Sequence, residues 1–258
     1  MGHPSLDLNS KTAVVIGGTS GIGLALAKGL ARAGANVIPT GRRTELVESA
    51  ADEIRQIGRK TIAVTTDVTN KSSLEALLQR IESEWGAVDI LVNSAGTTKK
   101  APTVDFPEHD WNQIIEVNLN GTLRACQVFG KKMIERKYGR IINIASLSST
   151  LGLHEVAAYA ASKAGVAALT KSLAVEWAQY NVCVNAIVPG VFQTDLNSAL
   201  LNGTPRGQEF LLRTPMRRFG RVEELVGAAV FLASDAASFV TGHLLAVDGG
   251  FLASGVNQ

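Results

Sequence analysis

The sequence predicts an α/β fold in which helices cover both faces of a parallel sheet. Short runs of β-branched and other apolar residues alternate with longer stretches that have apolar residues at three- and four-residue spacing, and the alternation continues through all 258 residues. Most of the short runs are continuously apolar, which is typical of strands covered on both faces. Strands that alternate with helices are joined by right-handed crossovers. We therefore predict a doubly wound parallel sheet between two layers of helices.

Seven short runs are predicted to be strands of this one sheet. They are Thr12–Ile16, Asn36–Thr40, Thr61–Thr66, Val88–Asn93, Arg140–Ala145, Val182–Val188 and Leu244–Val247. The stretches between them are predicted to be helices with one buried face, joined to the strands by short connections. Since the seven strands use the chain from end to end, we predict one domain over residues 1–258.

The interval from Pro189 to Gly220 breaks the regular alternation. About 30 residues there separate the sixth strand from a helix predicted at Val222–Leu232. Ligands of doubly wound sheets lie at the carboxyl ends of the strands, and long excursions at that edge usually serve function. We predict that residues 190–220 form a substrate lid. The alternative is a surface excursion that supports oligomer contacts.

The charge balance and the cysteines limit the partners and the compartment. The chain has 25 Lys and Arg against 23 Asp and Glu, a formal net charge of +2, with no strongly basic block. This balance predicts neither a nucleic-acid partner nor an anionic membrane partner. Cys126 and Cys183 sit in apolar surroundings and are predicted to be buried thiols of a reducing compartment. With no secretory signal recognised, we expect a cytoplasmic protein. No metal-ligand cluster is recognised either, so no essential metal is expected.

The first predicted strand leads directly into a glycine-rich turn that is followed by a helix. The candidate cofactor residues of this turn are Gly17, Thr19, Ser20, Gly21, Ile22 and Gly23. Glycines allow a tight turn and let backbone N–H groups approach a pyrophosphate, while the helix N-terminus adds positive potential. At this place in a strand–helix repeat, the turn predicts a dinucleotide site.

The end of the second strand predicts which nicotinamide dinucleotide is used. An acidic residue there would bind the adenosine ribose hydroxyls and repel a 2′-phosphate. This chain has Arg42 and Arg43 instead, and a guanidinium can bind a phosphate with two N–H groups. The sequence therefore predicts NADP(H) in preference to NAD(H), with NAD(H) use possible. The alternative is that both arginines belong to a solvated helix start.

Residues after the third and fourth strands are predicted to complete the cofactor site. Asp67 and Val68 are placed to hold the adenine, with the carboxylate accepting from its amino group. Asn93, Ala95 and Gly96 end the fourth strand beside the glycine-rich turn, where small residues leave room for the cofactor.

A tyrosine and a lysine four residues apart predict the catalytic group. Tyr159 and Lys163 share one face of a predicted helix. The pKa of free tyrosine, near 10, is too high for efficient base chemistry at neutral pH, and a nearby cation lowers it. Ser146 ends the fifth strand, where its hydroxyl can bind a substrate oxygen. Asn118 is polar among apolar neighbours and needs partners, for which a water near Lys163 is one candidate.

These motifs resemble the short-chain dehydrogenase/reductase family over essentially the whole chain. The family's glycine-rich turn, its Asn-Asn-Ala-Gly motif and its catalytic tetrad correspond to residues named above, with Ile16 and Ser94 as departures. The resemblance implies a Rossmann-like αβα fold, with Asn118, Ser146, Tyr159 and Lys163 as the catalytic residues. It also implies that a further segment closes on the nicotinamide; its residues are Pro189, Gly190, Val191 and Thr194.

The resemblance implies a proton-transfer mechanism for a carbonyl and an alcohol. Tyr159 would give a proton to the carbonyl oxygen or take it from the alcohol, and Ser146 would orient that oxygen. Lys163 would bind the nicotinamide ribose and keep Tyr159 acidic, and Asn118 would carry a proton relay toward solvent.

The substrate is less defined by the motifs, since pockets vary within one fold. Several stretches resemble the gluconate 5-dehydrogenase branch of the family, including the basic pair Lys99 and Lys100, which would suit a carboxylated sugar. His154 could bind a polyol hydroxyl. The substrate residues are thus predicted to be Ser146, Tyr159, Lys99, Lys100 and His154. A solvated basic loop and an ordinary loop histidine are the alternatives.

Two other functions stay open. The 3-oxoacyl-carrier-protein reductases share most of these motifs, and their acidic protein partner would also suit basic loops. A non-catalytic NADP(H)-binding sensor is the other alternative, although a sensor has no need of Tyr159 and Lys163 at this spacing. The resemblance implies a homotetramer built through apolar helix faces, and a dimer remains open.

Overall fold

Six strands form one parallel sheet in the computed structural model, which describes residues 4–194, 198–201 and 203–257. The strands are β1 (Thr12–Ile16), β2 (Asn36–Thr40), β3 (Ile90–Asn93), β4 (Gly139–Ile144), β5 (Val182–Pro189) and β6 (Leu244–Val247). Their order in the sheet is β2-β1-β3-β4-β5-β6, and every pair is parallel. The predicted α/β fold with a doubly wound parallel sheet is confirmed.

The predicted count of seven strands is wrong, because Thr61–Thr66 forms no strand. The segment does run beside β2: the Val37 N–H donates to the Lys60 carbonyl at 3.2 Å, and the Thr66 N–H donates to the Gly41 carbonyl at 2.9 Å. Pro39 faces the same side of β2 as Val37, two residues away, and proline has no N–H to donate. The ladder is therefore interrupted in the middle, and the segment stays extended without regular pairing.

Nine helices lie in the described ranges. They are α1 (Gly21–Arg32), α2 (Thr44–Gln56), α3 (Lys71–Trp85), α4 (Glu108–Ile115), α5 (Gly121–Arg136), α6 (Ala157–Trp177), α7 (Ser198–Leu201), α8 (Pro205–Arg213) and α9 (Val226–Ala233). A single π-helical turn, Glu116–Asn120, joins α4 to α5. The helix predicted at Val222–Leu232 is α9 preceded by a 3₁₀ turn, Val222–Leu225.

Two apolar cores lie on opposite faces of the sheet. Alternate residues of β1 point to opposite faces, so Ala13 and Val15 enter one core while Val14 and Ile16 enter the other. The first core packs α1 and α9 against the sheet, and the second packs α3 and α5. The predicted three-layer αβα arrangement is confirmed. No helix in the described part of the chain is both long and apolar enough to cross a membrane.

The segment predicted as a lid leaves the sheet after β5 and returns near β6. Its base is closed by a bridge between Phe192 and Gly220, and α7 and α8 lie between them. Residues 195–197 and Asn202, which the lid prediction includes, lie outside the described residues.

Two helical glycines give a matched test of packing. A Cβ at Gly130 in α5 would lie 2.6 Å from the Trp177 ring, whereas a Cβ at Gly227 in α9 would meet nothing within 4 Å. We expect Gly130→Ala to destabilise the fold by roughly 1–3 kcal/mol, because the ring must move. We expect Gly227→Ala to stabilise it by up to about 1 kcal/mol, because alanine favours helix. Urea unfolding measures the change in the free energy of unfolding for each variant. Equal changes in the two variants would contradict the close contact of α5 with α6.

Candidate active site

A cleft of about 770 Å³ opens at the carboxyl ends of the strands. The sequence-predicted residues that line it are Gly17, Thr19, Ser20, Gly21, Ile22, Gly23, Arg42, Arg43, Asp67, Val68, Ala95, Gly96, Ser146, Tyr159, Lys163, Gly190, Val191 and Thr194. Most of them follow the ends of the five strands β1 to β5, and parallel strands bring their carboxyl ends to one edge. Asp67 and Val68 follow the extended segment Thr61–Thr66, and Tyr159 and Lys163 lie on α6. The structure thus gathers most of the predicted cofactor and catalytic residues into one cavity.

The glycine-rich turn folds so closely that side chains do not fit. Gly17 has φ +77°, and a Cβ there would lie 2.6 Å from the backbone nitrogen of Ala95. A Cβ at Gly23 would lie 2.0 Å from the Gly17 carbonyl oxygen. Ser20 precedes α1, and within the described residues its hydroxyl caps none of the N–H groups of the first helical turn. These N–H groups and the missing side chains suit an anion such as a pyrophosphate.

Arg42 and Arg43 follow β2 and line the same cleft as the glycine-rich turn. The Arg42 charge acts on Asp67, whose Oδ1 accepts from the N–H and the hydroxyl of Thr69 at 2.9 and 2.8 Å. Burial opposes these effects, and the net pKa of Asp67 is lowered. A charged carboxylate with Oδ2 available can accept from an adenine amino group. The region therefore offers both a carboxylate for the base and guanidinium groups for a phosphate.

Ser146 is held at the end of β4 by a short turn. Its Oγ accepts from the Ser148 N–H at 3.2 Å and from the Ser148 hydroxyl at 3.0 Å. The Ser149 Oγ accepts from the Ser146 N–H at 3.2 Å. With two hydrogen bonds accepted, the Ser146 hydroxyl keeps its own proton to donate. A substrate oxygen beside Ser146 would therefore receive a hydrogen bond from a fixed position.

Tyr159 and Lys163 project together from α6. The Lys163 ammonium lies 5.7 Å from the Tyr159 ring centroid and donates to the Ile144 carbonyl at 2.7 Å. Burial raises the pKa of Tyr159, and a hydrogen bond with Ser146 lowers it in part. The net direction is opposite to the lowering expected from the sequence, because the desolvation of the phenol outweighs the hydrogen bond. Burial also lowers the pKa of Lys163 to about 8, so most of the ammonium is charged at neutral pH.

Asn118 lies behind the cleft wall in the π-helical turn. Its Oδ1 accepts from the Thr97 N–H at 2.8 Å, and its Nδ2 donates to the Thr97 carbonyl at 2.9 Å and to the Ser162 Oγ at 3.0 Å. The extra residue of a π-turn turns a side chain away from the regular helical face. The partners are protein groups, where the sequence suggested a water. Asn118 therefore holds the loop after β3 in a fixed position relative to α6.

Two predicted cofactor residues also lie behind the wall. Asn93 Nδ2 donates to the Asn143 Oδ1 at 2.8 Å, deep between β3 and β4. Pro189 is the last residue of β5 and pairs with Val247 of β6. Both support residues that do line the cleft, Ala95 and Gly190, and in the described structure neither reaches the cavity.

The predicted substrate residues Lys99, Lys100 and His154 are not brought into the cleft by the described structure. Lys99 is paired with Asp110, and the Lys100 Nζ lies 2.9 Å from Glu155 Oε2. His154 points to solvent, with 82% of its side chain exposed. Each lysine is neutralised by an acidic partner distant in sequence, so the basic pair presents no free charge to the cavity.

Sequence reasoning missed several residues that line the cleft near Ser146 and Tyr159. They are Thr97, Thr98, Gln113, Val117, Leu153, Val156, Leu201, Arg206 and Phe210. Most belong to the loops after β3 and β4 and to α7 and α8 of the predicted lid. For the residues of α7 and α8, the sequence did contain a signal. They lie within the lid predicted over residues 190–220, and α8 has an amphipathic pattern.

The comparisons with known proteins agree with this geometry. The family model described as enoyl-(acyl carrier protein) reductase matches residues 17–252, and a short-chain type dehydrogenase/reductase from Mycobacterium marinum has the same fold, with a TM-score of 0.92 at 33% identity. The chain belongs to the short-chain dehydrogenase/reductase family. It is therefore an oxidoreductase that acts on CH–OH groups.

Two other members of the short-chain dehydrogenase/reductase family are especially informative. The 5-keto-D-gluconate 5-reductase of Escherichia coli is 41% identical over 95% of this chain and 96% of its own length. The structure of a gluconate 5-dehydrogenase from Burkholderia cenocepacia, in complex with NADP and tartrate, has a TM-score of 0.94 at 39% identity and covers 97% of this chain and 98% of that one.

The buried Lys163 should lower the stability of the fold. Its pKa is about 8 in the folded chain against 10.5 for the free group, and each pKa unit corresponds to about 1.4 kcal/mol. We expect Lys163→Met to stabilise the protein by roughly 2 kcal/mol at pH 7, after about 1 kcal/mol is subtracted for the lost hydrogen bond. Turnover should be lost.

The sign of the pH dependence follows from the same shift. Below pH 8 both states of the wild-type protein carry the Lys163 proton, so the full penalty of the buried charge is present. As the pH rises from about 8 toward 10.5 the folded state loses that proton first, and the stability gap between Lys163→Met and wild type should shrink. Urea unfolding at matched protein concentration measures the gap. Lys171→Met, an exposed lysine of the same helix, is the control. A gap that stays constant with pH would contradict the assignment.

Proposed function

We propose that the protein is an NADP(H)-dependent oxidoreductase that interconverts a carbonyl group and a secondary alcohol of a sugar acid, as a gluconate 5-dehydrogenase does. The observation that carries the proposal is the single cleft that contains both the glycine-rich turn with its flanking arginines and the group Ser146, Tyr159 and Lys163. One cavity can therefore hold a dinucleotide along its length and a substrate at its catalytic end.

The residues of the cleft fit the proposed cofactor. The turn at Gly17 has no room for side chains, which suits a pyrophosphate, and Asp67 can accept from the adenine amino group. Arg42 and Arg43 suit the 2′-phosphate that distinguishes NADP(H). Lys163 would bind the nicotinamide ribose, and the segment Gly190–Thr194 would cover the nicotinamide. When bound, NADP(H) supplies or accepts the hydride.

The chain's own residues would move and hold the proton. Tyr159 gives its phenolic proton to the carbonyl oxygen in reduction and takes a proton from the alcohol in oxidation. Ser146 donates a hydrogen bond to the same oxygen and stabilises the charge that develops there. Burial raises the pKa of Tyr159, so the phenol carries at neutral pH the proton that it gives in reduction. Lys163 stabilises the phenolate, and Asn118 holds the β3 loop and α6 in place for a proton relay to solvent.

The choice of substrate rests on the relatives. Proteins about 40% identical over nearly their whole length act on 5-keto-D-gluconate or gluconate. The Burkholderia cenocepacia structure contains tartrate, a hydroxy dicarboxylate. The second candidate substrate is a 3-oxoacyl thioester of an acyl-carrier protein. The observation that favours it is the apolar wall of Leu153, Val156, Leu201 and Phe210.

We further propose that the chain is one domain, that residues 190–220 act as the substrate lid, and that the protein works as a homotetramer in the cytoplasm. Five described residues between 191 and 210 line the cleft, as a lid would. The exposed side chains of Val175 and Phe239 suit burial against other subunits. Both cysteines are free and buried, which suits a reducing compartment.

We expect NADPH consumption to be at least ten times faster with 5-keto-D-gluconate than with an acetoacetyl thioester at matched concentrations, measured by the loss of NADPH absorbance. A preference for the thioester would instead indicate that the protein is a 3-oxoacyl-carrier-protein reductase.

Tyr159→Phe is the control for catalysis. It should lower turnover by at least a thousandfold while NADPH still binds, because the ring remains and the proton is lost. NADPH binding by the wild type with no turnover on any carbonyl would indicate the sensor function. Turnover near the wild-type rate in Tyr159→Phe would refute the assignment of the proton donor.

Arg42→Gln should raise the KM for NADPH at least tenfold and leave the KM for NADH within about twofold, because only NADPH offers a phosphate to the guanidinium. Steady-state kinetics with both cofactors measure the ratio. Arg55→Gln, which replaces an exposed arginine paired with Asp52 on α2, is the matched control and should change neither KM. If Arg42→Gln weakens both cofactors equally, Arg42 does not select NADP(H).

A further inference from the structure

Four cationic side chains line the described part of the cleft: Arg42, Arg43, Lys163 and Arg206. Arg42 and Arg43 follow β2, at the end where Asp67 lies. Lys163 is engaged with the Ile144 carbonyl. Arg206 belongs instead to α8, which forms the wall near Ser146 and Tyr159. It is therefore the cation that can meet the part of a substrate far from the reacting carbon.

Arg206 is held in place by contacts on two sides. Its Nη1 donates to the His154 carbonyl at 3.1 Å, in the loop between Ser146 and Tyr159. Its Cζ lies 5.4 Å from the Phe210 ring centroid, one helical turn away, and that ring packs against Phe251 at 6.2 Å. A guanidinium stacked on an aromatic ring keeps its edge N–H groups available for other partners.

The start of α8 is also fixed. Thr204 caps it by accepting from the Gly207 N–H at 3.0 Å. A Cβ at Gly207 would lie 1.8 Å from the Leu201 carbonyl oxygen, so α7 and α8 are in direct backbone contact. Arg206 thus starts from a rigid position, and rigid placement lowers the entropy cost of binding a ligand.

The neighbouring charges leave Arg206 without an ionic partner among the described residues. The Arg206 charge interacts with the Glu155 carboxylate and contributes to lowering the pKa of Glu155. The Glu155 carboxylate is bound to Lys100 at 2.9 Å, and that hydrogen bond is the larger cause of the lowered pKa. Lys100 therefore neutralises Glu155. In this arrangement Arg206, and not Lys99 or Lys100, offers positive charge to the cavity.

We propose that Arg206 binds the carboxylate of the substrate and sets the preference of this enzyme for acidic over neutral polyols. The inference rests on the proposed function. A carboxylate accepts two parallel N–H bonds from a guanidinium, which fixes the orientation of the substrate as well as its affinity. With the carbonyl at Ser146 and Tyr159 and the carboxylate at Arg206, the polar side chains of Thr97, Thr98 and Gln113 in the same cleft wall remain for the hydroxyl groups of the substrate.

The test compares two substrates that differ at the carboxylate. They are 5-keto-D-gluconate and L-sorbose, the neutral ketose with a hydroxymethyl group in place of that carboxylate. We expect Arg206→Gln to raise the KM for 5-keto-D-gluconate at least tenfold with little change in kcat, and to leave kcat/KM for L-sorbose within about twofold. Arg206→Lys should have a KM for 5-keto-D-gluconate between those of the wild type and Arg206→Gln, because an ammonium keeps the charge but cannot donate two parallel hydrogen bonds. Added salt should raise the KM of the wild type for the acid more than that of Arg206→Gln.

Arg213→Gln is the matched control. Arg213 lies on the same helix, its Cζ is 5.3 Å from the Phe251 ring centroid, and it is not part of the cleft wall in the described structure. Arg213→Gln should leave KM and kcat/KM unchanged for both substrates. If Arg206→Gln lowers kcat/KM equally for both substrates, Arg206 is a structural contact and the inference fails. If Arg206→Gln leaves kcat/KM unchanged for both substrates, the carboxylate binds elsewhere and the inference fails too.

Calorimetric binding of gluconate separates this inference from the proposed function. If wild type prefers L-sorbose or reduces neither ketone, the proposed function fails. The inference then survives only if wild type binds gluconate and Arg206→Gln binds it at least tenfold more weakly. Equal binding by the two proteins, or no binding by wild type, would overturn it. Melting temperatures of all variants show whether each one is folded.

Discussion

The Asn118 side chain connects the elements on which the geometry of the cleft depends. Its amide holds both backbone groups of Thr97, in the loop after β3, and the hydroxyl of Ser162, between Tyr159 and Lys163 on α6. One buried amide with all its N–H groups satisfied thus fixes the loop after β3 relative to the helix that carries Tyr159 and Lys163. A buried network of this kind specifies one arrangement, since a partly satisfied one costs free energy. The π-helical turn is the local distortion that allows it.

Local patterns were sufficient to predict most of the fold and many of the residues that line the cleft. Continuous apolar runs predicted six of the strands, and the glycine-rich turn and the Tyr159–Lys163 spacing each lie within a few residues of sequence. The errors came from contacts between distant residues. Thr61–Thr66 has strand composition, but its pairing fails at Pro39 on the neighbouring strand. Lys99 and Lys100 form a basic pair whose charges are taken by Asp110 and Glu155. Arg206 has no motif, and only tertiary placement brings it to the wall.

Cationic side chains line the cleft in more than one place. Arg42 and Arg43 follow β2, Lys163 lies beside Tyr159 on α6, and Arg206 is contributed by α8. The formal net charge of the whole chain is only +2, so this positive potential is local. Low-dielectric walls concentrate such a field, which raises the rate at which anionic ligands arrive. The arrangement suits a cofactor with several phosphates together with an acidic substrate, and both should bind less well at high ionic strength.

Pro39 has a consequence for the outer edge of the sheet. β2 is the terminal strand, and an open terminal strand is a template on which a strand of another molecule can add by hydrogen bonding. Here the outward position at Pro39 has no N–H, while the extended stretch 60–66 runs beside the same edge, accepting from the Val37 N–H through Lys60 and donating to the Gly41 carbonyl through Thr66. The edge is therefore both covered and chemically interrupted. The same residue that removes a seventh strand from the sheet protects the molecule against edge-to-edge aggregation.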